Sequence, residues 1–249
     1  MALASCGIFQ GAAPEDFEPL LPSVSRRQYG ERQHLWHAGD PANWMYVLLL
    51  GEVVVSRIGP NGEQYVIEVY VRGDAMGQLP FFDDHPVRFT DAVAARPTEC
   101  FVAPRDAVLA LLRERPQLTA RMLAAYSRWI RSRDMRTSEA AYRNLAGRVA
   151  CKLVELASRY GERGPDGIHI PIRITQETLA GMLGASRENV NRALARLARQ
   201  GEVRRRRSVL VIPDLEDLAE RYSDFEESRE GFAFRAFGAL GAGRPESSR

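Results

Sequence analysis

The feature that most constrains this chain is a change of character at Pro104. Before it, from about Val24, short runs rich in β-branched and aromatic residues alternate with turn signals such as "HAGDPANW", "RIGPNGEQ" and "VRGDAMG". Strands recurring at that spacing predict a compact antiparallel barrel or roll, and Asn61-Gly62 is the sharpest hairpin signal among them. After Pro104 the residues are those that favour helix, mainly Ala, Leu, Arg and Glu, with a break at Pro116. A chain of 249 residues is long enough to bury both kinds of core. The expected organisation is therefore α+β. A β-roll domain takes residues 1–115, a long helix 116–143, and a mainly helical domain 144–223. A tail over 224–249 is expected to be disordered on its Gly, Arg and Ser content. An acidic amphipathic segment from Ile8 to Leu21 reads as a short helix.

Several function classes are disfavoured at once. The first twenty residues lack the basic start and long apolar core of a signal peptide, and the longest apolar run, Trp44 to Leu50, is too short to cross a bilayer. A cytoplasmic protein with no membrane partner is expected. Three dispersed cysteines, Cys6, Cys100 and Cys151, suggest neither a disulfide framework nor a zinc cluster. A cupin-like metalloenzyme would need histidines converging on a metal. His34 and His37 stand three apart on extended chain, where odd spacing points side chains to opposite faces, so no enzyme and no metal site is expected.

The formal net charge is only +2, yet arginines crowd into "GASRENVNRALARLARQG", Gly184 to Gly201, and the following "EVRRRR". "TQETLAGML" begins with a Thr N-cap and shows helical apolar spacing at Leu179, Met182 and Leu183. "GAS" follows as a tight turn. "SRENVNRALARLARQ" then forms a second helix capped by Ser186, burying Val190, Leu194 and Leu197. Two short helices with a small residue at the crossing, Ala180, and glycine at the turn, Gly184, make a helix-turn-helix. Arg187, Glu188, Asn191 and Arg192 lie on the exposed start of the second helix, the part that enters a major groove. Arginine presents a fork matched to guanine O6 and N7, and glutamate accepts from cytosine N4. An acid among arginines would be useless to a merely electrostatic patch. "EVRRRRSVLVIP" reads as a β-hairpin wing whose Arg204, Arg205, Arg206 and Arg207 touch phosphates. Arg196, Arg199, Ser186, Thr175 and Gln176 are placed with these backbone contacts.

The long helix shows a 4–3 spacing at Leu118, Met122, Ala125, Trp129, Ser132 and Arg136. We read its first five positions as a seam between two copies of the chain.

At this point the chain resembles the CRP/FNR family of bacterial transcription regulators over roughly residues 8–219. The likeness is carried by "GDP" at Gly39–Pro41, "RGD" before "GQLPFFD" at Gly77–Asp83, "GRVA" at Gly147–Ala150, and above all "SRENVNR". The resemblance implies that Arg187, Glu188 and Arg192 read a TGTGA-type half-site. It also implies that a homodimer binds a palindrome, and that the loop "YGERGPDG" faces RNA polymerase in activators. In cyclic-AMP-binding members a Gly-Glu pair, an Arg-Ser pair and a Thr-Ser pair hold the ribose, the phosphate and the adenine. Here the first pair is Gly77-Gln78. Ungapped counting from "AVAA" puts Phe89-Thr90 at the second, with Arg88 one residue away, and Arg133-Asp134 stand at the third. Loss of charge-assisted bonds to phosphate speaks against cyclic AMP. The expected effector is unknown, the sequence requires no cofactor, and a cyclic dinucleotide or no ligand remain alternatives.

Overall fold

The computed structural model describes residues 6–60, 62–172, 174–206 and 209–222, and for 132–142 the backbone alone. The chain divides into two compact units, Met1–Arg133 and Asp134–Arg249.

The first unit is a roll of two four-stranded antiparallel sheets. One has the order β1 (Ser25–Tyr29), β8 (Thr98–Pro104), β3 (Trp44–Leu50), β6 (Ala75–Met76). The other runs β2 (His34–Trp36), β7 (Asp91–Ala94), β4 (Glu52–Ile58), β5 (Gln64–Val71). Strand β3 explains the apolar run: successive side chains of a strand point to opposite faces, and here both faces are covered. Tyr46 and Leu48 join Cys100 and Val102 of β8 in the cluster between the sheets, with Trp36, Val53, Val55, Ala92 and Ala94. Met45 and Val47 join Ala103 in a second cluster on the other face. That second cluster is closed by Cys6, Phe9, Phe17 and Leu20 from the N-terminal segment and by Val108, Leu111 and Leu112 of α1 (Arg105–Glu114). The N-terminal segment is not α-helical as expected but a 3-10 stretch, Pro14–Ser23, because Pro19 and Pro22 lack the amide hydrogens a longer helix needs. The β4–β5 hairpin turns through residues 59–63, where Gly59 and Glu63 pair through their backbones. Asn61 lies outside the described residues.

Helix α2 begins at Pro116 and runs to Tyr142. Here the first two positions of the expected seam are corrected. Leu118 and Met122 are buried, at 0% and 3% exposure, inside the roll's own second cluster, and Tyr126 packs against it. Ala125 and Trp129 are half-buried, and the side chain of Ser132 lies outside the described residues. The exposed stripe lies one step around the helix, at Ala120, Leu123, Ala124, Ser127 and Ile130, with Leu123 58% and Ile130 52% exposed. An apolar period in a helix is the same whether it faces its own domain or a partner, and the sequence alone could not separate the two.

The second unit is a winged helix-turn-helix. Helix α3 (Leu145–Tyr160) is capped by Asn144, whose side chain accepts from Gly147 N at 3.0 Å. Strands β9 (Glu162–Gly164) and β10 (Gly167–Ile170) form a short hairpin where a loop was expected. Helices α4 (Gln176–Leu183) and α5 (Arg187–Arg199) follow. The wing strands β11 (Arg204–Arg206) and β12 (Val209–Ile212) pair with each other, β12 pairs also with β10, and α6 (Leu215–Tyr222) ends the described chain. The proposed tail, 224–249, lies outside the described residues, as does Arg207.

The two-faced burial around β3 is testable within one strand. Leu48→Ala, at 0% exposure, is expected to cost about 2–5 kcal/mol in urea unfolding. Leu50→Ala, at 61% exposure, is expected to stay within about 0.5 kcal/mol.

Candidate nucleic-acid interface and effector slot

The helix-turn-helix is assembled from local signals that agree with one another. Thr175 caps α4, its hydroxyl accepting from Thr178 N at 2.9 Å. Gly184 ends that helix in the left-handed region at φ 55°, which only glycine adopts at no steric cost. Ser186 caps α5, accepting from Asn189 N at 3.3 Å. Leu179, Ala180 and Leu183 of α4 are buried, as are Val190, Ala193 and Leu197 of α5. Leu194, expected in that core, is only half-buried, and the small Ala193 takes the inner position instead.

Burying that side of α5 leaves Arg187, Glu188, Asn189, Asn191, Arg192, Arg196 and Arg199 exposed. Gln176 donates to Asn191 Oδ1 at 2.8 Å, joining the start of α4 to α5. Arg192 donates to Asn189 Oδ1 within the helix. Arg199 donates to the Ala195 carbonyl at 3.4 Å. Among the described residues, neither Arg196 nor Arg199 makes an ion pair with an acid, so both guanidinium charges are available to an outside anion.

Arg204, Arg205 and Arg206 are all exposed along β11. Arg206 lies 3.4 Å from Asp166, which also meets His169 Nε2 at 2.6 Å. His169, and after it Arg206, hold the Asp166 carboxyl below the usual carboxylate range. Two supports were not legible in the sequence. Arg148 of α3 donates to the Leu183 carbonyl at the end of α4, fixing one reading helix to the scaffold. Glu202, 8% exposed at the base of the wing, accepts from Arg221 at 3.3 Å and from the Tyr222 hydroxyl at 3.2 Å. Each bond joins residues far apart in sequence, and no local spacing announces it.

In the roll, Arg88 meets Gly77, and the neighbouring Gln78 and Thr90 are buried. Arg88 is 3% exposed, and its guanidinium donates to the carbonyls of Gly77 and Trp44. It lies over the Trp36 ring at 4.4 Å from the centroid. Gly77 has φ 86°, and a Cβ there would stand 2.8 Å from the Arg88 Nη1. The ungapped alignment that placed Phe89 in the slot is corrected: Phe89 is 52% exposed, while Arg88 and Thr90 on either side of it are buried. Backbone alternation turns Arg88 inward. The side chains of Arg133 and Asp134 lie outside the described residues.

Arg88 makes no ion pair among the described residues, and burial lowers its affinity for its proton. Its Nε and Trp36 Nε1 are buried with no hydrogen-bond partner among the described residues. Burial pushes the Tyr126 hydroxyl up to about 12, with the Gln78 side chain countering it.

Comparison with known proteins agrees with both sites. The profile described as a cyclic nucleotide-binding domain matches residues 26–115, and that described as a Crp-like helix-turn-helix domain matches 147–221. A CRP-like cAMP-activated global transcriptional regulator of Mycobacterium tuberculosis is 30% identical over 219 residues, covering 88% of this chain and 97% of the relative. A global nitrogen regulator of a Synechocystis species is 29% identical over 197 residues, covering 79% and 85%. The fold is shared with the c-di-GMP responsive regulator CLP of Xanthomonas campestris, at TM-score 0.68 and 20% identity over 81% of this chain and all of that one. It is shared too with a CooA mutant of Carboxydothermus hydrogenoformans, at TM-score 0.67 and 19% identity over 82% and 89%. With a nucleotide-binding-type roll, a Crp-like reading head and a relative matched along nearly its whole length, the chain belongs to the CRP/FNR family of transcription regulators.

Proposed function

We propose that the protein is a homodimeric, sequence-specific regulator that reads a palindromic TGTGA-like site and has no catalytic role. The observation that carries this reading is the first two turns of α5, where Arg187, Glu188, Asn191 and Arg192 are exposed opposite a buried strip of Val190, Ala193 and Leu197. Arg187 and Arg192 supply forks for guanine and Glu188 an acceptor for cytosine. Arg196, Arg199, Arg204, Arg205 and Arg206, with Ser186, Thr175 and Gln176, set register through phosphates. Arg206 must leave Asp166 to do so, whereas Arg205 has no such competitor.

The two roles separate in fluorescence anisotropy with a TGTGA-N6-TCACA duplex and a scrambled one. Arg187→Ala is expected to cost about 1–3 kcal/mol on the specific duplex and to leave the scrambled one nearly unchanged. Arg205→Ala is expected to weaken both and to lower the salt slope by about one. Equal losses on both duplexes from Arg187→Ala would overturn the assignment of base reading.

The second copy is placed on the exposed stripe of α2. Leu123 and Ile130 are large apolar groups on a face that the roll leaves uncovered. A two-fold partner of the same kind covers them with a self-complementary surface. Leu123→Asp with Ile130→Asp is expected to give monomers in analytical ultracentrifugation and to reduce affinity for the palindrome to that for a half-site. A dimer that survives both changes would place the interface elsewhere.

The slot is altered rather than lost. Gln78 replaces the carboxylate that the family pattern uses for a ribose hydroxyl, whereas Arg88 sits inward and without a carboxylate partner. A buried cation in that state favours an anionic ligand, which supports a second reading: dependence on a cyclic nucleotide or cyclic dinucleotide. On the first reading, cyclic AMP, cyclic GMP and cyclic di-GMP each leave the affinity for the specific duplex unchanged. Tightening by one of them, abolished in Arg88→Ala, would establish the second.

A further inference from the structure

Outside both of these sites, His34, His37 and Asp91 meet at the outer edge of the second sheet. The one nitrogen or oxygen that each residue offers lies within 4.8 Å of the other two. Strand β2 pairs with β7 through His34 and Val93, and the register shifts before Trp36 pairs with Ala92. That irregularity, and the turn that follows, undo the alternation that would send His34 and His37 to opposite faces. Their rings stack instead, with centroids 3.9 Å apart and planes at 22°. Asp91, at the start of β7, reaches His37 Nδ1 at 3.6 Å.

We propose that these three side chains bind a divalent transition-metal ion of the zinc class. Two imidazole nitrogens and one carboxylate oxygen suit zinc, cobalt or nickel and not the all-oxygen demands of calcium or magnesium. Three protein ligands leave a fourth position for water. Ligand atoms around a tetrahedral zinc stand about 3.4 Å apart. The required closure is a matter of side-chain rotation, since both histidines are exposed and Asp91 is half-buried.

The backbone is already held. Asp91 Oδ1 accepts from Ala38 N at 3.1 Å, and Asp40 Oδ2 from His37 N at 2.8 Å. Such outer bonds orient metal ligands. The same turn is joined to the segment that carries the buried guanidinium: Gly39 N donates to the Arg88 carbonyl at 2.7 Å, and Arg88 N to the Asp40 carbonyl at 2.8 Å. A bound ion clamps the 37–40 turn to β7 beside Arg88, so metal availability bears on the roll without touching the reading helix.

The experiment uses the full-length protein stripped with a chelator. Zinc is titrated by calorimetry, and cobalt by its visible absorption. One ion per chain is expected, with cobalt bands of nitrogen and oxygen ligands and no sulfur charge transfer. Thiolate competition from Cys6 and Cys100 is weak, because burial pushes both thiols up to about 12, and the Cys151 thiol donates to the Tyr222 carbonyl at 3.0 Å. His34→Gln and His37→Gln are each expected to weaken zinc by more than the roughly 10–100-fold that outer partners cost. His85→Gln and His169→Gln should bind as the parent does, which covers all 4 histidines of the chain. Selective broadening of the His34 and His37 ring resonances by copper in the unmodified protein checks the same assignment without a variant. Unchanged zinc affinity in the His34→Gln, His37→Gln double variant, or broadening at His85 or His169 alone, would overturn the proposal. DNA affinity of the metal-free variants should match that of the metal-free parent, so failure here leaves the reading of the helix-turn-helix intact.

Discussion

Strands β3 and β8 lie side by side at the centre of the first sheet with both faces buried, and the effector domain depends on that arrangement. One face needs the second sheet, which brings Trp36, Val53 and Ala92 against Tyr46 and Leu48. The other needs the N-terminal segment, α1 and the first turns of α2, which bring Phe17, Leu111 and Leu118 against Met45 and Val47. A fully buried apolar side chain is worth about 1.5–3 kcal/mol relative to exposure, so neither cover is dispensable. Because the same strand feeds both clusters, the slot on one side and the start of the long helix on the other share one rigid element. Trp44 illustrates the connection: its carbonyl, at the start of β3, accepts from the buried Arg88.

The reading head solves a different problem. A short helix that exposes most of its surface cannot hold itself, and α5 is fixed by its buried strip of Val190, Ala193 and Leu197. The end of α4 is pinned by Arg148 and the base of the wing by Glu202, Arg221 and Tyr222. This anchoring thus comes from residues other than the exposed arginines of α5. The exposed arginines can then differ in availability. Arg206 is held by Asp166, while Arg196 and Arg199 have no acid partner among the described residues.

Much of this was legible in the chain itself. The roll followed from turn-punctuated β-rich runs, and the helix-turn-helix from caps at Thr175 and Ser186, a turn glycine and apolar spacing. These are local properties, and each was strong enough to act alone. The exposure of Arg187, Glu188, Asn191 and Arg192 was legible because an exposed helix start is determined once the buried strip is known. Errors arose where a local pattern has two tertiary solutions. Leu118 and Met122 fit a partner seam and an own-domain core equally well. Arg88 and Phe89 competed for one inward position, and a one-residue difference in register reverses which faces in.

Local signals in the chain set the order of the two units, the kind of secondary structure in each, and the exposed arginine-rich face of α5, because periodicity, capping and turn chemistry act over a few residues. Only packing settles which face of α2 the roll leaves uncovered, that the Arg88 guanidinium is buried with no ion pair among the described residues, and that His34, His37 and Asp91 converge. Those outcomes depend on strand register and on segments tens of residues apart being packed together, and such long-range pairing leaves no mark in local spacing.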